Sequence, residues 1–252
     1  STRFAEGRWA DAEALYDQAL GLAIDVGDDE LVGLVCQNQG ALASMQGRLR
    51  DARSHYLEGI ASCIRSGNRR NQATIYNNLG LVCSNLNEWM EAEIYFGRGI
   101  EIAEQIEDGA HIALLLVNRA TPLIHLSELD RARESLARAE DAARRIDSHQ
   151  ALADVARVRG VLARREGDTE AARRHLAESV RIAAEAGLEY ERGEALTELG
   201  VLYLEAGRAA EAIPVLRDAR TALHGLGASR NVERVERLMA VASGGDGRGS
   251  GP

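Results

Sequence analysis

The chain has 252 residues, a formal net charge of −9, and 45% hydrophobic but only 4% aromatic residues. The acidic balance excludes non-specific attraction to nucleic acid or acidic lipid. No apolar run approaches the ~20 residues of a membrane span, and no signal peptide opens the chain. All thirty basic residues are arginine, which removes Schiff-base and phosphate-loop lysine chemistry.

In chain order, Phe4-Ala5-Glu6-Gly7 reads as the end of a repeat's first helix, followed by a second helix over about Trp9 to Val26. The missing partner helix predicts that further repeats, or another domain, precede Ser1. From there the chain repeats without insertion or deletion every forty residues. A small residue falls at Gly40, Gly80, Ala120, Gly160 and Gly200, and alanine at Ala12, Ala52, Ala92, Ala132, Ala172 and Ala212. A fixed period of this length is the mark of a stacked solenoid, in which each unit buries its apolar face against its neighbours. With three prolines and no alternating strand pattern, the fold class is all-α.

The organisation follows: a solenoid over 1–242, made of a partial repeat 1–29, full repeats 30–69, 70–109, 110–149, 150–189 and 190–229, and a capping helix 230–242. A flexible Gly/Ser-rich tail takes 243–252. Each repeat reads as two helices. The inner turns fall at Gly47, Asn87, Ser127, Gly167 and Gly207, where a left-handed residue is expected; Ser127 should be the least comfortable of them. The outer turns fall at Gly27-Asp28, Gly67-Asn68, Asp108, Asp147-Ser148, Gly187 and Gly227. In the helix over 70–86, Ile75, Leu79, Val82 and Leu86 form the core stripe. Thr74, Asn77, Asn78, Leu81 and Asn85 lie on the other side. Ala92 and Gly80 are expected to face each other. Cys36, Cys63 and Cys83, odd in number and without C-x-x-C spacing, read as buried free thiols in a reducing compartment. The cap should bury Val232, Val235, Leu238 and Met239.

With these residues in view, the repeat resembles the tetratricopeptide repeat (TPR) in a forty-residue form. The matching features are Asn38-Gln39-Gly40, then Gly47, Leu49, Ala52 and Tyr56. The next copy supplies Asn78-Leu79-Gly80, Trp89, Ala92 and Phe96. Arrays of this type resemble those of kinesin light chains and of the sensing regions of bacterial regulators. The resemblance implies a right-handed superhelix of antiparallel hairpins whose first helices line a concave groove. It also implies that a helix-A asparagine grips a ligand backbone, a role that falls here on Asn38, Asn78 and Asn118 and lapses at Val158 and Glu198.

The candidate peptide-binding residues are therefore Asn38, Asn78 and Asn118, with Gln37, Asn77 and Asn85 widening the polar track and His125 beside it. An amide can pair with a peptide backbone without reading its side chains. The alternative is that each amide bonds within its own turn or to a neighbouring repeat. Pro122 removes a donor from its helix and should kink it. Arg157, Arg164 and Arg165 form a basic half that would dock an acidic segment, or else pair with Glu194, Glu198 and Glu205 of the next repeat. The six histidines make no metal-ligand pair, and there is no nucleophile motif or phosphate loop. No catalytic residue, metal or cofactor is expected.

The reading is a non-catalytic, cytoplasmic scaffold that binds a protein or peptide partner in its groove. It would form the C-terminal part of a larger bacterial signalling or transcription regulator; the arginine, alanine and glycine excess fits a high-GC bacterial coding bias. Direct binding of nucleic acid or membrane is not expected. The alternatives are homodimerisation through the exposed N-terminal end of the solenoid, and a small-ligand sensor that gates a neighbouring domain.

Overall fold

The computed structural model describes the backbone of residues 2–226 and 228–245 and the side chains of 9–226 and 228–244. Among these residues are twelve helices and no strand. In order they are α1 (Thr2–Asp25), α2 (Asp29–Met45), α3 (Leu49–Ser66), α4 (Arg69–Asn85), α5 (Trp89–Gln105) and α6 (Gly109–His125). Then follow α7 (Leu129–Arg145), α8 (His149–Arg165), α9 (Thr169–Glu185), α10 (Glu189–Glu205), α11 (Ala209–His224) and α12 (Ser229–Gly245). The chain divides after Glu128 into two compact units, α1–α6 and α7–α12. That boundary lies inside 110–149, which the sequence pattern alone takes as one repeat.

From α1 to α11 successive helices are joined by two or three residues, and one mechanism stops each helix. At the first inner turn, Gly47 N–H donates to Ser44 O (3.0 Å) and Arg48 N–H to Ala43 O (2.9 Å) around a left-handed Gly47 (φ 81°). This paired closure satisfies carbonyls that the helix end leaves open. It recurs at Asn87, Ser127, Gly167 and Gly207, all with positive φ, as the sequence predicts. Asp28, Asn68, Asp108, Ser148 and Asp168 then cap the next helix by accepting from the backbone N–H three residues on. The carboxyl of Asp108 is opposed by burial, yet the His111 backbone and ring hold it below the ordinary carboxylate range.

The sequence misses one left-handed position, Glu107 (φ 53°), because the strong cap signal of Asp108 draws the eye one residue too far. A Cβ in this region is strained by about 1 kcal/mol or more. Glu107→Gly is expected to raise unfolding stability by about 1 kcal/mol, read as a higher melting temperature; an unchanged or lower one would count against strain at this turn.

In unit 1 the core runs through Ala43, Ala52, Tyr56, Ile60 and Cys63 to Ile75, Leu79 and Val82. Small residues on the even-numbered helices meet large ones on the odd-numbered helices. A Cβ on Gly40 would sit 2.5 Å from the Tyr56 ring, and one on Gly80 would sit 2.5 Å from the Phe96 ring. The nearest group over Gly80 is thus the Phe96 ring, which the expected pairing with Ala92 leaves out. In unit 2, Leu176 fills the same role opposite Gly160, and Leu216 opposite Gly200. There α12 closes the core by burying Val235, with Val232, Leu238 and Met239 beside it, against Leu216 and Leu223.

Three further expectations meet the structure differently. α1 runs through Gly7 without a turn, since continuing the helix is the local way to pair each successive backbone N–H. α6 continues through Pro122, which is buried. α12 takes in Ser243–Gly245, and the remainder of the expected tail, 246–252, lies outside the described residues, as does Gly227. Cys36, Cys63 and Cys83 are buried and unpaired, and burial pushes the Cys36 thiol up to about 12.

Candidate functional site: the even-helix face of unit 1

Helices α2, α4 and α6 lie side by side, each turning a core stripe inward and an opposite stripe outward. The outward stripe of α2 carries Leu34, Asn38, Ala41 and Met45. That of α4 carries Thr74, Asn78, Leu81 and Asn85, and that of α6 carries Leu114, Asn118, Thr121 and His125. The spacing i, i+4, i+7, i+11 puts each set on one side of its helix. None of these positions holds a carboxylate or a guanidinium. Leucine is unusually open here, with Leu34 47%, Leu81 40% and Leu114 43% exposed.

The predicted asparagine column divides in two. Asn118 donates through Nδ2 to Asn77 Oδ1 at 2.8 Å, and Asn77 is buried, so this pair ties α6 to α4. Thr74 Oγ1 and His111 Nε2 do the same one turn earlier, at 3.0 Å. Here the structural alternative describes the residues: Asn77 does not widen the track, and Asn118 spends a donor within the fold. Asn38 and Asn78 are half-buried and make no side-chain hydrogen bond among the described residues. The Gln37 Oε1 atom is buried without a hydrogen-bond partner. Asn85 is exposed at the end of α4.

His125 is placed by an aromatic stack that the sequence does not reveal. Its ring lies flat on Trp89, with centroids 3.8 Å apart and planes within 1°. Counting from the turn at Glu107 brings the far ends of α5 and α6 together, but only the packed hairpin shows that the two rings stack.

The corresponding stripes of unit 2 have a different chemistry. Arg157 bonds Asp154 at 2.9 Å. Burial opposes its charge, but Asp154, with Glu194 and Glu198 beyond it, more than offsets this and holds the guanidinium above its ordinary pKa. Arg164 of α8 reaches Glu198 (3.1 Å) and Glu205 (3.3 Å) of α10. The basic half expected for an acidic partner is therefore largely neutralised from the next repeat. Arg165 is exposed and makes no ion pair among the described residues. Val158 and Glu198, where the asparagine column lapses, are both buried.

Among the described residues no cluster of three or more His, Cys, Asp or Glu is placed to hold a metal ion. No described helix is long and apolar enough to cross a membrane.

Residues 38–105 match the family model for the tetratricopeptide repeat. No curated protein matches the sequence. Among solved structures, BtubC (BKLC) from P. vanneervenii is similar with a TM-score of 0.65 at 20% identity, over 98% of this chain and 94% of that one. NprR in complex with its cognate peptide NprX gives a TM-score of 0.67 at 15% identity, over 96% of this chain and 68% of that one. A Rap protein complexed with Competence and Sporulation Factor gives 0.64 at 14% identity, over 86% and 76%. The tetratricopeptide-repeat match thus lies within unit 1, at residues 38–105, and the fold of the helical array is similar to that of these solved structures.

Proposed function

We propose that this chain is a non-catalytic scaffold whose unit 1 holds an extended, uncharged peptide segment across α2, α4 and α6. The observation that carries the reading is the pair of half-buried amides, Asn38 and Asn78, left without an internal partner between exposed leucines on a face free of charge. Each amide offers one acceptor and two donors to a backbone, and the leucines offer apolar area to alternate side chains. Two structures of similar fold hold peptides, NprR its cognate NprX and a Rap regulator of plasmid pLS20 the Phr* peptide, which supports peptide capture by this architecture. The scaffold would serve a larger bacterial signalling or transcription regulator in the cytoplasm, with ligand occupancy read out by the rest of that protein.

A random peptide library selected against the chain supplies the probe. Binding of a selected peptide should fall about tenfold or more in Asn38→Ala/Asn78→Ala, since two hydrogen bonds contribute about 0.5–1.5 kcal/mol each. The melting temperature should stay put, because those amides hold nothing inside the fold. Arg164→Glu should leave binding unchanged, and raising salt should weaken it little. Selected peptides that are strongly charged, steeply salt-dependent, or indifferent to both asparagines would sink the proposal.

A further inference from the structure

The forty-residue register exposes a second surface, on α1. Ala52, Ala92, Ala132, Ala172 and Ala212 are each 0% exposed, and Tyr56, Phe96, Leu136, Leu176 and Leu216 are at most 3% exposed. Ala12 and Tyr16 head the same two columns but are only half-buried. Beside them Leu22 is 66% exposed, whereas Ser62, Ile102, Ala142 and Ala222 in its column are 1–8% exposed. In later hairpins an even-numbered helix covers these positions, its glycine seated on the large side chain, as Gly40 sits on Tyr56 and Gly80 on Phe96. Among the described residues no helix lies on that side of α1, which packs on α2 through Leu20 and Ala23.

Charge narrows the occupant. The first residue of α2, Asp29, pairs with Arg65 near the end of α3 at 2.6 Å. The first residue of α4, Arg69, reaches Gln105 at the end of α5 at 3.1 Å. Asp25 holds the place of Arg65 and Gln105 on α1, is exposed, and makes no ion pair among the described residues. From Trp9 to Asp25 the helix carries no arginine. Glu13 is paired with Arg48 and Asp17 accepts from Gln39, which leaves Asp11 and Asp25 exposed without an ion pair among the described residues, so two copies of this helix repel each other.

We infer that this face of α1 docks an amphipathic helix with a basic first turn and a glycine or alanine eleven residues into it, seated over Tyr16. The interface continues the packing already made by α2 on α3 and α4 on α5. The chain's own α4 has every required feature: Arg69 and Arg70 at its start, Gly80 in the seat, and no acidic residue. A labelled peptide of sequence Arg69–Leu86, titrated with the full chain, is the probe.

Saturable binding is expected. It should weaken about tenfold in Leu22→Glu, which would bury a charge in the contact. Asp25→Arg should weaken it about threefold at low salt. A Gly80→Leu peptide should fail to compete. Leu22 and Asp25 are exposed, so both variants should keep the parent circular dichroism spectrum, which checks that they fold. No saturable binding, indifference to both substitutions, or equal competition by the Gly80→Leu peptide would overturn the inference. So would concentration-dependent dimers in light scattering that Leu22→Glu abolishes, because a second copy would then be the occupant.

Discussion

Phe96→Ala is expected to destabilise the protein by about 3–5 kcal/mol, the range for emptying an aromatic site in a packed core. Phe96 is completely buried, and its ring occupies the space where Gly80 has no side chain. The neighbouring backbone cannot close the hole, because α4 and α5 are already held by the turn at Asn87 and by the alanine column at Ala92. The reciprocal change, Gly80→Ala, inserts a Cβ 2.5–2.7 Å from three ring atoms and should cost about 1–3 kcal/mol by overpacking. The sequence itself suggests the rescue, since forty residues on from Gly80 and Phe96 it carries Ala120 and Leu136. Gly80→Ala combined with Phe96→Leu should therefore be more stable than the sum of the single losses by about 1 kcal/mol, a coupling expected only of residues in contact. Urea unfolding of the four variants measures it. Strict additivity would mean that ring and glycine do not share this space.

That pairing was available from the sequence by counting. An antiparallel hairpin pairs residues equidistant from its turn, so with Glu88 as midpoint Gly80 lies eight residues before and Phe96 eight after. The same count relates Gly33 to Cys63 about Arg48, and a Cβ on Gly33 would indeed meet the Cys63 sulfur at 2.6 Å. The helix pattern and the inner turns were legible because glycine, asparagine and the core stripe follow backbone rules that act locally. The candidate site was legible only as a column of amides. Which amide turns sideways is set by contacts between repeats: Asn77 and Asn118 stand forty-one residues apart and share a bond that no period of forty announces. The fate of Arg164 was likewise open between an external partner and its neighbours, and distance in the packed array decided it.

Glu198→Ala is the second large loss expected, about 3 kcal/mol. The side chain is buried on α10, with Oε2 accepting from Arg164 of α8 at 3.1 Å and Oε1 from Arg234 of α12 at 2.5 Å. One carboxylate thus joins three helices of unit 2. Removing it leaves two guanidinium groups facing each other without their shared partner, and breaking a buried pair from one side costs about 3–5 kcal/mol. The lower end applies because the Arg234 side chain is 41% exposed and Arg164 keeps Glu205. Replacing all three residues by leucine should recover most of the loss, since an apolar cluster carries no desolvation penalty. A single-variant loss under about 0.5 kcal/mol in urea unfolding would mean that solvent screens the triad as it does a surface pair. The test also bears on function, because guanidinium groups already committed to Glu198 can bind an acidic ligand only by giving up these bonds. That competition favours capture on the uncharged face of unit 1, where Asn38 and Asn78 have no partner to surrender.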